Sequence, residues 1–330
     1  MMKTKLLLLA FMTLIFSCKQ ENPLKVNVEK VKVEKLSIKR YEQQLFNVPQ
    51  DSFIAKANAI QKDYMVFLEG NIKDTSALLG LRNFFQDHYM LELFQLSQKT
   101  FPELNTLENQ LNESFRYLKY HFPKVKTPKV YTYISGLDVQ SPVKYVDDNL
   151  IIGLDLYLGS ETEAYKLSGF PSYVVSFMSK DYLQRDILSE MGRGLMPEID
   201  RSADLLNNMI YYGKILYFIR ALAPEMPESI VLKFKSSQLE WMDKYEAQVW
   251  SFILENKYLF EKNPLVKNKF LNEGPFSTMF AKESPARIGY YIGFKIVSKY
   301  MEESGSGIEK LFTETDYQKI FTLSKYKPKI

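Results

Sequence analysis

The chain reads as an α+β protein, mainly helical, on three observations. Several long segments place apolar residues at three- and four-residue spacing, as Leu205, Met209, Tyr212, Leu216 and Ile219 do. Two short central segments, Lys129–Ile134 and Asn149–Gly159, are instead rich in β-branched and aromatic side chains. Of the 330 residues, 46% are hydrophobic and 14% aromatic, enough to bury the core of one large domain or two.

Taken in order, residues 1–17 have the layout of an export signal. Lys3 and Lys5 form a short basic end, and Leu6 to Phe16 is apolar apart from Thr13. A run of about eleven residues is too short to span a bilayer as a helix, which needs roughly 20. It ends at Ser17-Cys18, and Cys18 is the only cysteine in the chain. A small residue before a lone cysteine, directly after an apolar run, reads as a bacterial lipoprotein processing site. Cys18 then becomes the lipidated first residue, which leaves no thiol for a disulfide or for thiol catalysis. Acyl chains there make the membrane a partner, and no later hydrophobic run is long enough to span it.

Removal of the signal takes Lys3 and Lys5 with it, so the formal charge of +4 moves toward balance. No strong basic patch stands out, and nucleic acid is not an expected partner. His88 and His121 are the only histidines, which leaves little for zinc or triad chemistry. No cofactor is expected.

Residues 18–38 read as a lipidated polar tether that leads into a short strand near Val26–Val33. A helical region follows over 39–125. Asp51 or Ser52 caps a helix to about Leu68, a second runs from Leu81 to Gln98, and Pro102 and Glu103 open a third that reaches Tyr120. His88 falls inside the second helix, and His121 at the end of the third suits the negative helix terminus.

The region 126–330 begins with the two strands, the second broken at Gly153. Asp147, Asp148 and Asp155 could be taken for metal ligands, but the first two sit in a turn, a common place for adjacent aspartates. Helices follow over Leu183–Gly194, Asp204–Leu222 and Gln238–Tyr258. Ile230–Leu232 has no clear assignment. A last helix is opened by Pro285, where Gly289 and Gly293 leave a smooth groove for another helix. Its charges Arg287, Lys295 and Lys299 make that packing intramolecular. Whether 39–125 is a separate domain or continuous with the rest is open.

Leu183, Ile187 and Glu190 share one side of their helix, which sets a carboxylate in an apolar stripe. An ion pair with Arg193, one turn on, would offset the cost of its burial. The alternative is a metal-free general acid or base, which needs a second carboxylate or a nucleophile nearby. Glu198 and Asp200 follow closely, and nothing in the sequence fixes their direction. The ion pair is the favoured reading.

Several stretches together resemble the GldB family of gliding-motility lipoproteins from Bacteroidetes-type bacteria. They are Cys18, Arg40–Phe46, Tyr133–Leu137, Ile151–Gly159 and Arg287–Gly293, in that order along essentially the whole mature chain. The resemblance implies an outer-membrane-associated lipoprotein needed for gliding, with gliding or secretion proteins as partners. The weak resemblance of Lys19-Gln20-Glu21 to outward-sorting signals favours the periplasmic face over the cell surface.

A more distant likeness is to zincin-type peptidases, whose helix carries His-Glu-x-x-His. Ser189 and Arg193 stand at the two histidine positions, Glu190 keeps the glutamate's place, and Tyr212 replaces the further acidic ligand. The likeness implies a degenerate zincin-like core, a small sheet packed on helices, with no metal site and no catalytic residue beyond the weak candidate Glu190. Three functions stay open: a non-catalytic scaffold or binding component, a metal-independent hydrolase using Glu190, and a surface binder of peptide or glycan.

Overall fold

The computed structural model describes residues 24–69, 75–200 and 202–329. Cys18 and the export signal lie outside the described residues. Mainly helical α+β architecture is what the chain adopts, with one four-stranded mixed sheet. Its strands are β1 (Lys39–Arg40), β2 (Lys129–Tyr133), β3 (Val143–Val146) and β4 (Asn149–Gly153), in the order β1-β2-β4-β3. The pairs β1–β2 and β2–β4 are parallel, and β3–β4 is an antiparallel hairpin.

Central β4 buries Leu150, Ile151 and Ile152 in succession, as a strand covered on both faces does. Asp147 and Asp148 form the hairpin turn at φ 48° and 58°, a left-handed conformation their short polar side chains tolerate. The expected second strand is extended only as far as Gly153, after which Leu154–Leu156 makes a single tight helical turn. Inward-facing Asp155 accounts for the change. Its carboxylate accepts the Ser135 N–H at 2.8 Å, the Leu137 N–H at 2.7 Å and the Ser135 hydroxyl at 2.9 Å. Asp155 is therefore a tie between β4 and the turn after β2.

No strand forms at Val26–Val33. The chain turns there at Glu29-Lys30, with the Val31 N–H donating to the Val28 carbonyl, and just beyond it α5 (Asn105–His121) holds the backbone: the Leu36 N–H donates to Asn112 at 2.9 Å and the Ile38 N–H to Glu108 at 2.8 Å. Pairing begins only at Lys39. Glu42 in α1 (Glu42–Leu45) is fully buried, and it accepts Arg40 Nε at 2.7 Å and the Thr132 hydroxyl of β2 at 2.8 Å.

Two helices of this region differ from expectation. The first, α2 (Phe53–Ile60), stops well short of Leu68. Beyond it the chain loops so that Tyr64 and Phe67 close around Tyr41, whose ring stacks on Phe67 at 4.2 Å. The second is split into α3 (Thr75–Gln86) and α4 (His88–Thr100). Between them Asp87 turns extended, and its carboxylate caps α4 by accepting the Met90 N–H at 3.1 Å.

The remaining helices are α6 (Glu163–Leu167), α7 (Ser172–Val175), α8 (Lys180–Gly194), α9 (Leu205–Leu222), α10 (Glu228–Leu232), α11 (Ser236–Glu255), α12 (Pro264–Leu271), α13 (Ile288–Ser304), α14 (Ile308–Thr313) and α15 (Tyr317–Ser324). Apolar on nearly every side, α9 is the buried axis of this layer, capped by Asp204 through the Asn207 N–H at 2.9 Å. It is crossed by α13 at Gly213, Gly289 and Gly293. That helix starts at Ile288, three residues beyond Pro285, because Arg287 is left-handed at φ 54°. Ile230–Leu232 is helical, in α10. One continuous apolar core runs from Leu36 through Leu150 and Ile187 to Ile320.

Candidate functional site

Ser189, Glu190 and Arg193 project from α8 within about one turn of one another, and Tyr212 approaches from α9. All four line one cleft of about 610 Å³. The edge strand β3 and the loop before it form one wall, from Val139 to Val146. The opposite rim carries Lys233, Glu273, Arg287 and Tyr290 from the turns after α10 and α12 and the start of α13.

Glu190 and Arg193 form an ion pair at 3.4 Å, both half-exposed. Burial pushes the Glu190 carboxyl above its ordinary value, against the pull of Arg193. The Arg193 guanidinium also sits 6.0 Å from the Tyr212 ring, which stacks on Tyr290 at 4.0 Å. Glu198 and Asp200 do not line the cleft, and Asp200 caps its own turn by accepting the Ser202 N–H at 2.7 Å. Glu190 thus has a cationic partner and no second carboxylate of that segment beside it.

Deeper in the cleft lies a charge cluster that the sequence reading missed. Asp186 is buried and meets Lys233 at 2.8 Å, Arg185 at 3.0 Å and the Tyr157 hydroxyl at 3.1 Å. Burial alone would raise the Asp186 carboxyl, but Lys233 and Arg185 hold it below its ordinary value. Burial lowers the Lys233 ammonium and the Arg287 guanidinium, the latter despite Glu273 at 3.4 Å. The signal was present as Arg185-Asp186 on the buried side of α8, yet their partners Tyr157 and Lys233 lie 29 and 47 positions from Asp186, beyond any local pattern.

The histidines stand elsewhere. His88 is exposed as the first residue of α4, not within a longer helix. His121 ends α5 as expected, but burial lowers its pKa and its Nε2 has no partner among the described residues. It is thereby poorly suited to carry the charge that would favour a helix C-terminus. Among the described residues, no group of three or more His, Cys, Asp or Glu side chains is placed to hold a metal ion. A second hollow of about 650 Å³ near the start of α8 is lined by the acidic Glu103, Glu113, Asp181 and Glu225 and contains none of Ser189, Glu190, Arg193 and Tyr212.

The family model described as gliding motility protein GldB matches the chain over residues 21–328. No curated protein and no solved structure matches the chain. The zincin likeness gains no support from these comparisons. Since the match takes in the sheet, the α8 cleft and the crossed helices α9 and α13, the chain belongs to the GldB family of gliding motility lipoproteins.

Proposed function

We propose that this protein is a non-catalytic binding or scaffold component of the gliding and secretion machinery. It is anchored through lipidated Cys18 to the outer membrane, on the periplasmic face, and engages partner proteins through the α8 cleft. One observation carries the reading: Glu190, the residue best placed for chemistry, is engaged by Arg193 at 3.4 Å. A general base needs a free carboxylate within reach of a nucleophile or water, and a cation at that distance favours the carboxylate as a structural partner.

A metal-independent hydrolase using Glu190 has two observations in its favour: the upward push that burial gives the carboxyl, and a second carboxylate, Asp186, one helical turn away in the same cleft. One experiment tests both. Cells carrying Glu190→Gln are scored for gliding, with protein abundance checked by blot. The scaffold reading expects normal movement, whereas Cys18→Ala at equal abundance abolishes it. Lost movement in Glu190→Gln cells with normal protein levels would mean that the cleft does chemistry or grips a ligand through that carboxylate, and a search for a substrate would then separate the two.

A further inference from the structure

We propose that the cleft takes an extended acidic segment of a partner protein, which adds as a strand to the free edge of β3 and sets a carboxylate against Lys233 and Arg287. This rests on the binding reading above and gives it a ligand chemistry. Two independent observations carry it.

The first is the strand edge. β3 is the last strand of the sheet and pairs only with β4. The Gly153 N–H donates to the Pro142 carbonyl at 3.0 Å, which fixes the alternation of the ladder. Lys144 and Val146 therefore face β4, and Val143 and Tyr145 direct their N–H and C=O groups outward. Among the described residues no hydrogen bond takes up these four groups. The cleft runs along this strand, so an extended chain entering it meets a ready template.

The second is charge. Arg185 and Arg287 are buried at the cleft and Lys233 is mostly so, but the only buried carboxylate among them is Asp186. Of the other carboxylates at the cleft, Glu190 is half-exposed and engaged by Arg193, and Glu273 is largely exposed and stands 3.4 Å from Arg287. Three desolvated cations around one buried carboxylate leave a positive interior, and an incoming carboxylate would relieve it. Lys144 on β3, part-exposed and only loosely paired with Asp138 at 3.7 Å, adds a further cation along the path that the chain would take.

The test uses the full lipoprotein in detergent micelles and an immobilised random heptapeptide library. Retained peptides are expected to be enriched several-fold in Asp and Glu over the input. Lys144→Glu, at a part-exposed site that leaves the core intact, is expected to weaken the best of them about tenfold. That peptide is also expected to slow amide exchange at Val143 and Tyr145. Enrichment of neutral or basic peptides overturns the proposal. So does full competition by free glutamate or inorganic phosphate with no slowing at β3, since the site would then take a small anion only. If no peptide is retained, the acidic-strand proposal falls, and gliding by Lys144→Glu cells decides the wider one. Lost movement at normal abundance keeps the cleft as a binding surface for another ligand, and normal movement removes it.

Discussion

Gly213 of α9 lies directly against Gly293 of α13, backbone to backbone, and a methyl group on either would overlap main-chain atoms of the other helix. Neither helix can yield there by turning a side chain. Gly293→Ala is therefore expected to destabilise the fold by about 3 kcal/mol or more, because overpacking is relieved only by moving a helix. Gly80→Ala is the contrast, since nothing stands near that position in α3. It should stabilise by about 0.5–1 kcal/mol through helix propensity. Urea unfolding of the two variants beside the parent checks both signs.

Asp186→Asn should cost about 3–5 kcal/mol, because it leaves Lys233 and Arg185 buried without their counter-charge. The pH dependence has a definite sign. The folded carboxyl is held below its ordinary value of 3.8, so its contribution is present above that value and is lost as pH falls through the depressed one. Acid unfolding of parent and variant should converge at the lowest pH, as read by circular dichroism.

Lys214 gives a signature at the alkaline end. Its side chain is buried on α9, where it donates to the Glu314 carbonyl and lies 4.9 Å over the Tyr317 ring. Burial pushes its ammonium down to about 8 from the ordinary 10.5. Unfolding therefore takes up a proton between those values, and Lys214 alone contributes a rise of about 2 kcal/mol from pH 8 to pH 10. Buried tyrosines oppose it as pH approaches 10, because groups such as Tyr133 and Tyr217, both pushed up to about 12 by burial, ionise first in the unfolded chain. Thermal unfolding of parent and Lys214→Met across this range should therefore show the stability of the parent rising relative to the variant.

Glu190→Gln should leave stability within about 1 kcal/mol of the parent, since the pair with Arg193 is half-exposed and screened. A melting curve for this variant shows whether any gliding phenotype can be charged to misfolding.

Elements whose signal is local were legible in the sequence. α9 follows its apolar spacing from the Asp204 cap, β2 its β-branched run, and the Gly289/Gly293 groove its role as a helix contact. The four residues singled out at the candidate site do share one cleft. What escaped depends on distant partners. Asp87 splits a continuous apolar pattern into two helices, and Tyr41 draws Tyr64 and Phe67 out of one. β3 is only Val-Lys-Tyr-Val, too short to stand out before β4 gives it a neighbour. The buried cluster of Arg185, Asp186, Lys233 and Arg287 assembles from three separate helices and the turns beside them, so no spacing rule could have joined it.

The hold of α5 on the extended N-terminal chain sets a limit on distance. Val28 is the first buried side chain among the described residues, and Leu36 and Ile38 are bonded to α5 beyond it. With the lipid on Cys18, as proposed, the slack between bilayer and folded body is the ten residues up to Val28, at most about 35 Å when fully drawn out. The body then works on a short leash, close to the lipid headgroups. On the proposed anchoring, a partner has to be brought to the membrane, because this protein cannot go out to meet it.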